Sequence, residues 1–230
     1  MLSGALTATV VFQLGPFQVT STTVTTWVLM LVCGLLAWAG SRRLRMAPGL
    51  FQTAVEAVVG LMEDQIRQVA PELTSELLPF IGTLWIFLLV ANLSGLLPGV
   101  ASPTQDLSLT AALAVVVFLS VHWFGIRTRG AAAYFRHYLK PTPLLLPFEL
   151  ISEVTRTVSL AVRLFGNMMS LELTALLVLF VAGFLVPIPI LMLHIVEALV
   201  QAYIFGMLAL IYVAGGLEAQ AERQTERSQP

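Results

Sequence analysis

Three stretches of this chain, 22–39, 77–97 and 107–124, contain no Asp, Glu, Lys or Arg. Two more, 144–184 and 190–215, are nearly as apolar but hold a few isolated charges. A helix rises about 1.5 Å per residue, so about 20 apolar residues cross a hydrocarbon layer of about 30 Å. The pattern predicts an all-α integral membrane protein with about five membrane segments. Composition agrees: charged residues are 11% of the 230, against about 25% in an ordinary soluble domain. The net charge of -1 gives no sign of nucleic-acid binding. The single cysteine, Cys33, excludes an intrachain disulfide and a thiolate metal site. The first 20 residues lack a basic leader region, and Arg42, Arg43 and Arg45 follow the first run, so no cleaved targeting segment is expected.

Basic residues beside the spans set the expected orientation. One cluster is Arg42, Arg43 and Arg45; the other is Arg127, Arg129, Arg136 and Lys140. Both are expected on the cytoplasmic side. The connection 98–106 has no basic residue and is expected outside, as is the turn near "FLVPIPI". Five spans then place the N-terminus outside and the C-terminus in the cytoplasm. Residues 51–70 show apolar positions at helical spacing with Glu56, Glu63, Asp64 and Arg67 among them. They predict a helix, either lying at the interface or connecting spans in the cytoplasm. The polar tail, 218–230, is expected to fray.

The fourth segment, 144–184, is too long for a simple span. Its length of about 60 Å as a helix is twice the hydrocarbon thickness. It must break, or tilt steeply against something large, because packing rather than mismatch fixes a tilt. With span 190–215 it forms a long C-terminal helical hairpin. It also carries the least expected residue, Arg163 in "SLAVRLFGN". At 100° per residue from Arg163, Arg156 lies at about 20°, Glu149 and Asn167 at about 40°, Ser159 at about -40° and Ser170 at about -20°. Glu153 sits near 80°, whereas Glu172 points about 180° away. The last span adds His194, Glu197 and Gln201. In an antiparallel hairpin turning near 183–187, Glu172 falls level with His194 and Arg163 nearly level with Gln201.

A charge at the bilayer centre costs about 2.5–3.5 kcal/mol on insertion scales and is retained where it meets a cavity or a partner. Arg156 and Glu149 also fit snorkelling at an interface. Asn92 and Ser94 fit helix packing, and His122 an interfacial site. Carboxylates and imidazoles exchange protons near neutral pH, whereas a guanidinium keeps its proton. No continuous titratable line crosses the chain on one face. The arrangement predicts two half-routes offset sideways, with Arg163 at the divide and a partner carboxylate carrying the ion between them. No metal-ligand spacing, nucleophile motif or phosphate loop competes.

These residues carry a family likeness. "SLAVRLFGN" (159–167) and "HIVEALVQAYIF" (194–205) resemble the two signature segments of subunit a of the Fo sector of F-type ATP synthases. "FQTAVEAVVG" (51–60), "ANLSGLLPG" (91–99) and "SPTQDLSLTAAL" (102–113) are similar to three further family segments, in order. The likeness covers about residues 25 to 217, and the wording around Arg163 is similar to the divergent N-type branch. It implies a stator ion-channel subunit with two half-channels that pass ions to and from a ring of c subunits. Arg163 would face the ring. Glu172 and His194 would line the outer half-channel, with Asp106 near its entrance. Asn167 and Gln201 would neighbour the arginine, and Glu149, Arg156 and Ser159 would lie toward the cytoplasmic half-channel. Glu197 is an acidic addition beside His194. Implied partners are the c ring, b-type peripheral stalk subunits, the soluble F1 sector and lipid. ATP chemistry would occur in F1, so the chain would not be an enzyme by itself. No cofactor is implied; the ion is the proton, with sodium as the alternative. The implied location is a bacterial plasma membrane.

Two other readings are open from sequence. A self-contained secondary ion transporter would need a central substrate site, usually with an internal repeat, and none is visible. A membrane assembly or anchor protein would leave Arg163, Glu172, His194 and Glu197 without a role.

Overall fold

The computed structural model describes residues 10–14, 17–42, 49–97, 100, 102–129, 146–182 and 187–228. These make an all-α membrane fold. Six helices follow one another: α1 (Ser21–Ser41), α2 (Leu50–Val69), α3 (Thr74–Ser94), α4 (Leu107–Arg129), α5 (Leu146–Ala182) and α6 (Pro187–Ser228). Five of these are long and apolar enough to cross a membrane; α2 is the sixth. Short 3-10 turns, Pro71–Leu73 and Pro103–Gln105, precede α3 and α4. A small antiparallel hairpin, β1 (Val10–Leu14) and β2 (Phe17–Thr20), leads into α1 with Leu14 opposite Phe17. Its Val, Phe and Thr content favours extended chain.

Helices α3, α4, α5 and α6 form the bundle. Their inward residues recur every three or four positions, which puts them on one helix face. On α3 these are Leu77, Ile81, Leu84, Leu88 and Ala91; on α6 they are Ala198, Ala202, Phe205, Ala209 and Val213. Leu160, Leu164 and Met168 of α5 and Ala114 and Val117 of α4 complete the core. Small residues on α6 let its backbone come close to neighbours, as membrane helix packing requires. Gly206 is the tightest point: a Cβ there would stand 2.0 Å from Trp85 Nε1. The indole lies against that bare backbone and donates to the Tyr203 carbonyl at 3.3 Å.

Helix α1 stands apart, with only Thr22 and Thr26 buried. It is held at its first turn, where Thr22 Oγ1 donates to Asp106 Oδ2 at 2.7 Å. Helix α2 packs back on α3 through Ile66 and Ala70, and Tyr203 of α6 donates to Gln65 Oε1 at 2.9 Å.

Helix α5 is continuous over 37 residues. Of the alternatives left by the sequence, breaking or tilting, the chain does not break. Helix α6 differs from expectation at its end: the polar segment expected to fray continues the helix to Ser228. Its Glu, Ala, Gln and Arg are strong helix formers, so local propensity extends the helix beyond its apolar part. Arg43, Arg45, Arg136, Lys140 and the turn 183–186 lie outside the described residues.

Candidate functional site

The polar residues of the bundle fall into three groups along α5. The first is near the α5–α6 turn. His194 is buried, and its Nε2 lies 3.3 Å from the Asn92 carbonyl oxygen. A carbonyl only accepts, so Nε2 carries the hydrogen and Nδ1 keeps its lone pair in the neutral ring. Glu172 is half-buried; His194 lies within its electrostatic reach, and the Gln105 side chain makes a polar contact with it. Gln105 comes from the 3-10 turn before α4. That turn is pinned on α3: Ser102 Oγ donates to the Ala91 carbonyl at 2.8 Å. Gly95 permits the approach, since a Cβ there would sit 3.0 Å from Ser102 Cβ and 3.6 Å from His194 Cε1.

The second group is central. Asn167 Nδ2 donates to Gln201 Oε1 at 2.6 Å, which ties α5 to α6. Asn167 is therefore the residue level with Gln201, and Arg163 stands one turn farther from the α5–α6 turn. Arg163 is exposed and makes no hydrogen bond or ion pair with any described residue. Ser159, Gly166 and Ser170, which flank it at helical spacing, are also exposed. Buried Leu160, Leu164 and Met168 lie about 60–140° round the helix from it, on the side packed into the bundle. The charge thus lies on a narrow outward stripe of small residues.

The third group is near the start of α5. Glu153 is half-buried and faces His122 of α4, with Oε2 3.8 Å from Nε2. Arg156 is exposed, and its guanidinium lies 5.8 Å from the Tyr212 ring centre. Glu149 belongs to the first turn of α5; its side chain lies outside the described residues.

Two buried atoms have no hydrogen-bond partner among the described residues, Asn92 Oδ1 and Gln201 Nε2. An unmet buried polar atom costs about 1–3 kcal/mol. Water that reaches such an atom removes that cost. Asn92 lies between α3 and α6, where its Nδ2 donates to the Ala198 carbonyl at 3.2 Å, and Gln201 lies between α6 and α5, where its Oε1 accepts from Asn167.

Asp106, expected beside a channel entrance, has structural work. It caps α4 through Ser108 N at 2.9 Å and holds α1 through Thr22. Glu197 is half-buried with no side-chain hydrogen bond among the described residues. Sequence reasoning missed Gln105, because a contact from a connection onto a distant helix leaves no periodic signal. It read Asn92 and His122 as packing or interfacial residues; the structure joins Asn92 to His194 and His122 to Glu153.

Residues 23–214 match the family model of the ATP synthase A chain. The chain is 57% identical over 223 residues to "ATP synthase subunit a 2" of Pelobacter propionicus, covering 97% of this chain and 98% of that one. It is 57% identical over 209 residues to "ATP synthase subunit a" of Legionella pneumophila, covering 90% and 91%. It is 59% identical over 210 residues to "ATP synthase subunit a 1" of Hahella chejuensis, covering 91% and 89%.

Proposed function

Because this chain belongs to the ATP synthase subunit a family, we propose that it is the stator ion channel that couples ion flow to rotation of a c-subunit ring. The observation that carries this reading is Arg163. A permanent charge midway along a 37-residue helix faces outward and has no partner among the described residues. Exposure to hydrocarbon would be costly there. A carboxylate on a second, moving molecule removes that cost and supplies the carrier that the two half-routes lack. The small side chains of Ser159, Gly166 and Ser170 leave room for such a partner at close range.

Ions enter from outside past Gln105, Glu172 and His194. Asn92 and Gln201, each with a buried polar atom that water would satisfy, lead inward to Asn167. There the ion passes to the ring carboxylate. Arg163 favours the deprotonated carboxylate as it passes and blocks a straight leak by its charge. After nearly a full turn of the ring, the ion leaves along the stripe of Ser159, Arg156 and Glu149 toward the cytoplasm. The transported ion is the proton, since every group on both routes that titrates is a carboxylate or an imidazole; sodium is the alternative. ATP is made or hydrolysed in the soluble F1 sector, and b-type subunits hold this chain against the ring's drag. The N-terminus lies outside and the C-terminus in the cytoplasm, in a bacterial plasma membrane.

The test uses inverted membrane vesicles holding the whole complex. Arg163→Ala is expected to abolish ATP-driven acidification, followed with a pH-sensitive dye, while the chain still inserts. Retained pumping would overturn the assignment. Repeating the wild-type assay across sodium concentrations distinguishes the two ions.

A further inference from the structure

The half-channel reading leaves one titratable cluster unused. His122 of α4 and Glu153 of α5 face each other across the bundle, with Nε2 and Oε2 3.8 Å apart. Both side chains are largely buried, 29% and 20% exposed. His122 Nδ1 lies 2.9 Å from the Phe118 carbonyl oxygen, which only accepts, so Nδ1 carries the hydrogen. The Phe118 ring, 4.5 Å away between centres, also packs on the imidazole. The neutral ring is therefore held with its Nε2 lone pair turned toward the Glu153 carboxyl.

The position of this pair matches that of the outer one. Glu153 and Glu172 are 19 residues apart on α5, about 28 Å along a straight helix and close to the thickness of a hydrocarbon layer. Arg163 stands between them, ten residues from one and nine from the other. Each glutamate has a histidine from a neighbouring helix: His194 of α6 at one end, His122 of α4 at the other.

We propose that His122 and Glu153 form a proton-transfer station at the cytoplasmic end of the inner half-route, the counterpart of Glu172 and His194 at the outer end. This rests on the half-channel reading above. An outgoing proton is taken by the Glu153 carboxylate, giving the neutral acid. It then passes to His122 Nε2, which restores the carboxylate and leaves an imidazolium beside it. The imidazolium gives the proton to cytoplasmic water and returns to the neutral ring. ATP-driven pumping, which takes protons from the cytoplasmic side, runs the same steps backward. No other reactant is consumed. Among the described residues, the charged or titratable groups that the packed helices carry toward this level are Arg127 on α4, Arg156 on α5, Tyr212 on α6 and Glu76 on α3, one turn from the Phe80 ring that meets Phe124.

The experiment again uses inverted vesicles with the whole complex, in which the cytoplasmic end faces the medium. ATP-driven proton uptake is measured from mildly acidic to alkaline medium for the wild type, Glu153→Gln, His122→Asn, Glu153→Asp and Arg163→Ala. Gln and Asn keep the polar contacts but remove proton transfer. Loss of a positioned acid–base group is expected to slow uptake by at least about tenfold in alkaline medium. The loss should be smaller in acidic medium, and Glu153→Asp should recover most of the rate. Wild-type rates and pH profile in Glu153→Gln and His122→Asn, with Arg163→Ala silent, would overturn the station and leave the channel reading standing. Pumping by Arg163→Ala as well would overturn both. A loss equal at every pH and not relieved by Glu153→Asp would mean that the pair only holds α4 on α5, and loss of assembled complex in Glu153→Gln would mean the same; either would overturn the proposal.

Discussion

At the scale of single residues, Arg163 and Glu172 show what one degree of helical freedom decides. Nine positions separate them, so the arginine faces outward and the carboxylate faces Gln105 and His194. Two opposite charges so close in sequence would otherwise pair and cancel. Their separation predicts separable phenotypes. On the proposed function, Glu172→Gln should slow ion flow in both directions, because the outer half-route would lose its titratable carboxyl. It should leave the membrane as ion-tight as the wild type, because Arg163 is untouched. Passive proton permeability of vesicles after F1 removal, measured against ATP-driven uptake, checks both halves. Gly206 makes a different kind of prediction. A methyl group there meets the Trp85 indole 2.0 Å away, so Gly206→Ala must push the ring off Tyr203. Overpacking of this kind costs about 1–3 kcal/mol, which should lower the midpoint of thermal unfolding in detergent. Replacing Trp85 with Leu in the same chain should recover part of the loss. That Arg163 and Glu172 lie on opposite faces was legible from a 100° wheel alone. The role of Gly206 was not, because nothing in the sequence says that Trp85 crosses to that backbone.

At the scale of elements, the apolar runs foretold the five long membrane helices, because the hydrocarbon layer leaves few alternatives to helix. Ends were harder to read. Helix α4 begins at Leu107 as expected but continues past the apolar residues to Arg129. Helix α6 continues to Ser228 on propensity alone. Hydropathy reports where chain meets lipid, and a helix has no physical reason to stop there. Attachment of elements was also hidden. Helix α1 buries only Thr22 and Thr26, yet its first turn is tied to a residue 84 positions away. A hydrogen bond to a charged acceptor contributes about 1.5–3 kcal/mol. Thr22→Val keeps the shape and removes the donor, so the outer turn of α1 should open more often. Amide exchange over residues 20–26 is expected to rise by about tenfold, since about 1.4 kcal/mol is tenfold in an opening equilibrium. Exchange in the α3 and α6 core should not change. Equal acceleration everywhere would mean that the bond supports the bundle rather than one helix.

At the scale of the whole molecule, the chain has two kinds of surface on its membrane helices. Most of it is Leu, Val, Met and Trp, as on α1, and suits lipid. The stripe through Ser159, Arg163, Gly166 and Ser170 does not: it is small, polar and charged. A surface of that kind has a use only if another molecule covers it, and this separates two glycines on the same bundle. A Cβ at Gly206 strikes this chain's own core, whereas a Cβ at Gly166 meets nothing within 4 Å. Gly166→Leu should therefore leave the isolated chain as stable as before, or slightly more so. Glycine in a helix interior costs about 0.5–1 kcal/mol relative to alanine. In the complex, the added side chain stands one turn from Arg163, where the proposed function has the ring helices pass closely. ATP-driven pumping should fall to the level of Arg163→Ala, and less c ring should copurify with this chain after gentle extraction. Gly166→Ala should fall between. Wild-type pumping with Gly166→Leu would mean that no helix travels over this stripe, and that Arg163 meets its partner from another direction.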